Sequence, residues 1–309
     1  MDTIVRNALT HYDLPEKEPI TELRVSGDNH VYVVGVDHKK IVRVSKKLAR
    51  SDAQFEYEAM RHCAQHNLPV PQWILSRDNT VVTTTDGSNV ITMFDFLDGK
   101  HITIDAHHLP TNEQAFQAGK MLAKLSTIGR SFNTSSPRTR TIFTELERAL
   151  LHTQQLKQFE GGNVFITQVH TALAFGKASK SAVGLVHNDY RTGNVLFNEN
   201  QKVCGIIDFD WCCIGPIMKD LALGLVEWSF PDGQTEPDFR VFDAFLAGYN
   251  ADSAMLVKRD HKIYRWIQFA TLSDAATYFC DRLNSPDLIR DITRSYMYKK
   301  FLFFNELDS

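Results

Sequence analysis

β-prone runs dominate the first part of the chain, and helical spacing of apolar residues dominates the remainder. Residues 4–12 read as a short first helix. Residues 20–25, 30–36 and 40–45 read as strands, the first two set around Ser26-Gly27-Asp28-Asn29, the third alternating around Val42 and Val44. Ser51 reads as the cap of a helix ending near Gln65, with Phe55, Ala59 and Cys63 at helical spacing and Pro69 and Pro71 beyond its end. Residues 81–84 and 89–94 give two more strands, joined at Asp86-Gly87-Ser88. After Asp98-Gly99 the pattern turns helical, with helices expected at 113–126, 143–159, 163–175, 218–228, 238–249, 262–283 and 286–305.

One segment interrupts the helices. Two β-prone runs, 195–197 and 203–207, flank the polar turn Asn198-Glu199-Asn200-Gln201-Lys202 and read as a hairpin. In an antiparallel hairpin the two ends away from the turn lie side by side. Those ends are Asn194 and Asp208, with Asp189 on the adjoining loop. Hard oxygen ligands with room for water and phosphate oxygens suit Mg²⁺. A lone Asp208-Phe209-Asp210 would read as a solvated hairpin mouth. Here His187 stands two residues before Asp189, and Asn194 five after it. That ordered set is what phosphoryl transfer requires: one carboxylate for the acceptor hydroxyl, and an amide oxygen and a second carboxylate for magnesium.

Composition narrows the classes. A chain of 309 residues has room for about two domains or lobes. Its net charge of −3 leaves no basic footprint for nucleic acid. No apolar run is long enough to span a membrane, and the N-terminus lacks the apolar core of a signal peptide, so a cytoplasmic location is expected. The cysteines Cys63, Cys204, Cys212, Cys213 and Cys280 follow no disulfide or zinc spacing. Residues 133–141, NTSSPRTRT, read as a loop. No long heptad or exposed-strand pattern sets an oligomeric state.

The 187–210 segment resembles the aminoglycoside phosphotransferase and choline kinase group, small-molecule kinases built on the protein-kinase fold. The group's pattern is His-Gly-Asp-x-x-x-x-Asn followed by Ile-Asp-Phe-Asp, and Asn188 stands here in place of Gly. The resemblance implies an α+β, bilobal protein-kinase-like fold: a β-rich nucleotide-binding lobe over 1–95, an antiparallel sheet with one helix, and a larger, mainly helical lobe over 96–309 that carries the catalytic loop and acceptor site. It implies ATP and Mg as cofactors, Asp189 as the catalytic carboxylate, and Asn194 and Asp208 as metal ligands. Arg43 takes the place of the strand lysine that pairs with the phosphates; Glu58 is the best match for its helix partner, and Glu56 the next, because strand-to-helix registers slip. A phosphate-covering loop would sit at Ser26-Gly27-Asp28-Asn29-His30. Met93 to Gly99 resembles the hinge, where the backbone of Asp95 and Leu97 would meet adenine edges and Phe94 would lie near the base. Asp220 matches a frequent family position and reads as structural, a carboxylate near a helix start that accepts backbone N–H groups.

The acceptor is less sharply written. Asp210, Trp211, Glu227 and Trp228 follow the magnesium aspartate, and Trp266, Ala270, Asp274 and Tyr278 step by four along one helix. Aromatics with acids suit a cationic acceptor; core packing is the competing reading for each. The order Lys219-Asp220-Leu221-Ala222, Glu227-Trp228, Asp232-Gly233 and Ala244 to Tyr249 resembles type II homoserine kinases. L-homoserine, choline or ethanolamine, an amino sugar and an aminoglycoside all fit as the small-molecule hydroxyl acceptor, and GTP stands beside ATP as donor. Two other classes compete. A nucleotide-binding pseudokinase would lack one of Asp189, Asn194 and Asp208. A Ser/Thr protein kinase would carry an Ala-Pro-Glu segment, and Gly215-Pro216 leads almost directly to Asp220 instead.

Overall fold

The computed structural model describes residues 2–12, 14–15, 17–26, 29–46, 48–84, 89–105 and 108–308, without the side chains of residues 2 and 24–26. The chain forms two compact units. The first is 1–99 with 132–139 and 204–210; the second is 100–131, 140–203 and 211–309.

In the first unit α1 (Asp2–Leu9) is followed by β1 (Ile20–Ser26), β2 (Asn29–Val34), β3 (Lys40–Ser45), α2 (Arg50–Gln65), β4 (Trp73–Ile74) and β5 (Val90–Asp95). The strands form one antiparallel sheet in the order β1-β2-β3-β5-β4. Tyr32 and Val34 of β2, Val42 and Val44 of β3, and Ile91 and Met93 of β5 share a core with Val5, Ala8 and Leu9 of α1 and the nearby Tyr12. Period-2 alternation puts these side chains on one face of the sheet, and in β3 and β5 most residues of the opposite face are buried as well. Two expectations are corrected. Ser51 does not cap α2: the cap is Ala49, which has no side-chain hydrogen bond to offer, and Ser51 lies in the first turn. Residues 81–84 form no strand of their own; Thr83 alone bridges to Ile91. The expected joining turn at 86–88 lies outside the described residues, as do Gly27 and Asp28.

The second unit carries α3 (Asn112–Gly129), α4 (Thr144–Leu151), α5 (Thr153–Leu156), α6 (Gly162–Ala178), α7 (Ile217–Ser229), α8 (Phe239–Asp252), α9 (His261–Arg282) and α10 (Tyr296–Leu307). A reciprocal Thr111–Gln114 capping box starts α3. Helices α3 and α8 approach closely where both lack a side chain: a Cβ on Gly119 would lie 2.0 Å from the Phe245 carbonyl oxygen, and one on Gly248 would lie 1.9 Å from that of Phe116. The expected single helix over 143–159 breaks at His152 into α4 and α5. The expected helix over 286–305 begins only at Tyr296, because Asp291 accepts the Thr293 N–H and the Glu160 backbone pairs with Arg290 and Ile292.

Strand β6 (Val183–Val186) pairs antiparallel with β9 (Cys213–Pro216), a strand that the sequence pattern does not announce. Between them, β7 (Val195–Phe197) and β8 (Val203–Ile206) are the two strands of the expected hairpin. Its turn is closed by the Asn198 N–H donating to the Lys202 carbonyl at 3.0 Å. Among the described residues no helix is long and apolar enough to cross a membrane.

Candidate active site

In the first unit, Arg43 of β3 donates from both terminal nitrogens to Glu56 of α2, at 2.9 and 2.7 Å. Both residues are buried, at 5% and 1% exposure. The helix partner is therefore Glu56, and Glu58 is not. Glu58 instead accepts from Gln54, Ser136 and Thr134. Burial would raise the Glu58 carboxyl, and these hydrogen bonds outweigh it and hold the group below its ordinary value. Burial would likewise lower the Arg43 guanidinium; Glu56, Asp210 and Asp208 overcome that and hold it above its ordinary value.

Asp208 has φ +66°, a left-handed conformation that non-glycine residues adopt at a strain of ~1–3 kcal/mol. Asp210, expected on the acceptor side, accepts from the Asn29 amide at 3.0 Å, and Asn29 accepts from Ser45 at 2.6 Å. It thus lies with Asn29 and acts on Arg43 in the first unit. Ser26 ends β1 opposite Asn29. At the expected hinge, the Asp95 N–H is spent on the Gln72 carbonyl at 2.9 Å, and its side chain accepts from Lys40 at 2.5 Å. A base would therefore have to use its carbonyl. The loop at 133–141 is a tether: Thr134 and Ser136 bind Glu58, Thr139 binds Asp52, and Arg138 donates to the Asp210 carbonyl.

The second unit holds the loop expected to be catalytic. Asn188 has φ +65°. This explains both the Gly of the family pattern and its replacement, since Asn enters the left-handed region more readily than most residues. Asp220 of α7 accepts the backbone N–H groups of His187 (2.5 Å) and Asn188 (2.7 Å), and Lys219 donates to the Asn188 carbonyl at 3.2 Å. Asp220 is structural, as expected, but it holds the loop rather than its own helix start. Burial raises its carboxyl above the usual range, partly offset by Lys219 and His187. Asn194 donates through Nδ2 to the Asp189 carbonyl (2.9 Å) and to its carboxylate Oδ2 (2.8 Å). This leaves Oδ1 as the amide atom with lone pairs to offer. Arg191 donates through Nε to Asp189 Oδ1 at 2.7 Å, and its Nη2 forms an ion pair with the same oxygen.

Beside this loop lies a mixed-charge cluster. Glu227 of α7 accepts from Lys300 of α10 at 3.1 Å. Burial would raise Glu227, but Lys300 and Arg191 hold it below its ordinary value. Asp274 of α9 makes no hydrogen bond among the described residues. Burial, with Glu227 adding to it, pushes its carboxyl up to about 6 against the pull of Lys219, Arg191 and Lys300. A carboxyl whose folded value exceeds its unfolded one favours folding at low pH and loses that contribution as pH rises. Asp274→Asn should therefore stabilise the fold relative to wild type at pH 7.5 and do so much less at pH 4.5. Melting curves at both values check this; an equal shift at both would contradict the assignment.

Two of the three tryptophans expected on the acceptor side, Trp228 and Trp266, are buried in the core. Trp228 is fully buried among Tyr190, Phe197 and Phe245. Trp266 packs on Phe175 and Phe269. Trp211 is half-buried, with the Arg140 guanidinium 3.7 Å from its ring centroid. Tyr278 is half-buried beneath Arg282. Of the two expected clusters, Glu227 and Asp274 act on each other electrostatically. Arg191, Lys219 and Lys300, which join them, were missed; Arg191 was visible inside the motif, whereas Lys300 carries no local signal.

A five-stranded antiparallel sheet with its one inserted helix, a helical second unit and a His-Asn-Asp…Asn loop ahead of Asp-Phe-Asp define a small-molecule kinase. The model of the phosphotransferase enzyme family matches residues 19–261, and the chain belongs to that family. A homoserine kinase from Bartonella tribocorum is 26% identical over 272 residues, covering 84% of this chain and 80% of that protein. Among solved structures, an amicoumacin kinase in complex with AMP-PNP, Ca²⁺ and Ami gives a TM-score of 0.72 at 19% identity, covering 98% of this chain and 92% of that one. A microcompartment-associated aminopropanol kinase gives 0.70 at 18% identity, covering 98% and 96%. These two likenesses carry the protein-kinase-like fold.

Proposed function

We propose that the protein transfers the γ-phosphoryl group of ATP to the hydroxyl of a small, amine-bearing acceptor, with L-homoserine first among the candidates. The observation that carries this reading is Asp274: a partly buried carboxylate without a hydrogen-bond donor among the described residues, flanked by Glu227, Lys300 and Arg191, in the unit that holds Asp189. A carboxylate raised by burial gains most from an ammonium group that replaces its lost water. The Bartonella relative is a homoserine kinase, which agrees.

Asp189 orients the acceptor hydroxyl and takes its proton late in the transfer. The hydroxyl oxygen bonds to the γ-phosphorus as the bond to the β–γ bridging oxygen breaks, and ADP leaves. Arg43, held by Glu56, directs charge at the phosphates. Its Nε is buried without a partner among the described residues, a donor suited to a phosphate oxygen. Asn194 Oδ1 and the Asp208 carboxylate are hard donors of the kind magnesium takes. When bound, the metal neutralises charge on the phosphates.

Asp208→Ala should abolish magnesium-dependent strengthening of nucleotide binding, read by titration with ATP with and without Mg²⁺. Equal strengthening in variant and wild type would remove Asp208 as a ligand. ADP release against L-homoserine, choline, ethanolamine, amino sugars and aminoglycosides tests the acceptor class. Release that depends on an amine-bearing acceptor supports it. Nucleotide binding with no acceptor-dependent release would favour the pseudokinase alternative, and equal turnover of a generic protein substrate would favour a protein kinase.

A further inference from the structure

Arg191 lies two residues past the proposed base and faces two ways. Its Nε and Nη2 both engage Asp189 Oδ1, while Asp189 Oδ2 is held by Asn194. Its side chain is nonetheless 47% exposed, and beyond Asp189 it feels Glu227 and Asp274. The other cations of the cluster are committed and covered. Lys300, at 7% side-chain exposure, is on Glu227, and the buried Lys219 is on the Asn188 carbonyl. Arg191 is therefore the accessible cation of the cluster, and its planar fork matches a carboxylate.

Resting on the proposed function, we propose that Arg191 is the receptor for the acceptor's carboxylate and that this contact releases the base. The acceptor's ammonium seats on Asp274 and its carboxylate draws the guanidinium away from Asp189 Oδ1. An oxygen that already holds two N–H groups of a cation is a poor proton acceptor. Once released, it can take the hydroxyl proton. No covalent bond changes; one ion pair is exchanged for another. An amino alcohol supplies the ammonium but not the exchange, so the site selects α-amino acid acceptors over the corresponding amines.

Three matched compounds test this: L-homoserine, 3-aminopropan-1-ol, which lacks only the carboxylate, and 4-hydroxybutyrate, which lacks only the amine. They are compared in wild type, Arg191→Gln and Arg191→Lys, with ATP binding as the check on folding. Wild type should favour L-homoserine over aminopropanol by about 10²-fold in kcat/KM, the scale of a charge-assisted pair. In Arg191→Gln that ratio should fall to within about tenfold of one, and Arg191→Lys should restore part of it. Asp189→Asn, which loosens the resting ion pair, should bind L-homoserine several-fold more tightly in calorimetric titration while its turnover collapses.

An equal loss for both amines in Arg191→Gln overturns the proposal, because Arg191 would then serve the phosphoryl group or Asp189 alone. Equal use of both amines by wild type overturns it as well, while leaving the amine-acceptor reading standing. Turnover of none of the three compounds overturns this proposal too, while the wider amine-acceptor reading is then decided by the amino sugars and aminoglycosides of the panel.

Discussion

Asp189→Asn is expected to lower kcat by about 10²–10⁴-fold, the usual share of a positioned general base, while leaving ATP affinity within a fewfold of wild type. Asn keeps the shape and can still meet the Asn194 amide, but it cannot take a proton. In wild type the Asp189 carboxylate is fixed from two sides, by Asn194 at 2.8 Å and by Arg191 at 2.7 Å. The backbone before it is fixed by Asp220 and Lys219. The loss should therefore appear in turnover and not in folding. Steady-state ADP release and a nucleotide titration on the same preparation separate the two. Wild-type turnover in the variant would take the base role away from Asp189.

The second large effect concerns α2. Glu56→Ala should destabilise the protein by about 3–5 kcal/mol, because it leaves the Arg43 guanidinium buried without its counter-charge. Glu58→Ala should cost about 1–2 kcal/mol, since it removes only hydrogen bonds from Gln54, Thr134 and Ser136 at a partly exposed site. Urea denaturation of the two variants measures the contrast. A larger loss for Glu58→Ala would contradict the pairing of Arg43 with Glu56.

Matching a strand cation to a helix acid by motif spacing favours Glu58 because it ignores the phase of the helix. Along α2, Glu56 falls with Asp52, Ala59 and Cys63, which are buried. Glu58 falls with Gln54, Arg61 and Gln65, a polar row visible in the sequence alone. The signal was there, and the period of 3.6 would have found it. The same holds for Trp228, which stands on α7, a helix buried nearly all round, so its neighbours' apolar character already pointed to the core.

Other features were beyond local reading. The hairpin and the His187–Asp210 motif were legible because every relation in them spans a few residues. The 133–141 segment is polar and low in complexity, and its partners Asp52 and Glu58 lie more than 70 residues earlier. Strand β9 contains Gly215 and Pro216, and β6 supplies its pairing. Lys300 reaches Glu227 from 73 residues away. Tertiary context decided each of these.

The most direct single measurement is ³¹P NMR of wild-type protein with Mg²⁺–ATP and L-homoserine. One new phosphomonoester resonance, growing in step with ADP and absent without the acceptor, is the predicted result. ADP with inorganic phosphate and no phosphomonoester, or no reaction while ATP is bound, would contradict phosphoryl transfer to this acceptor's hydroxyl.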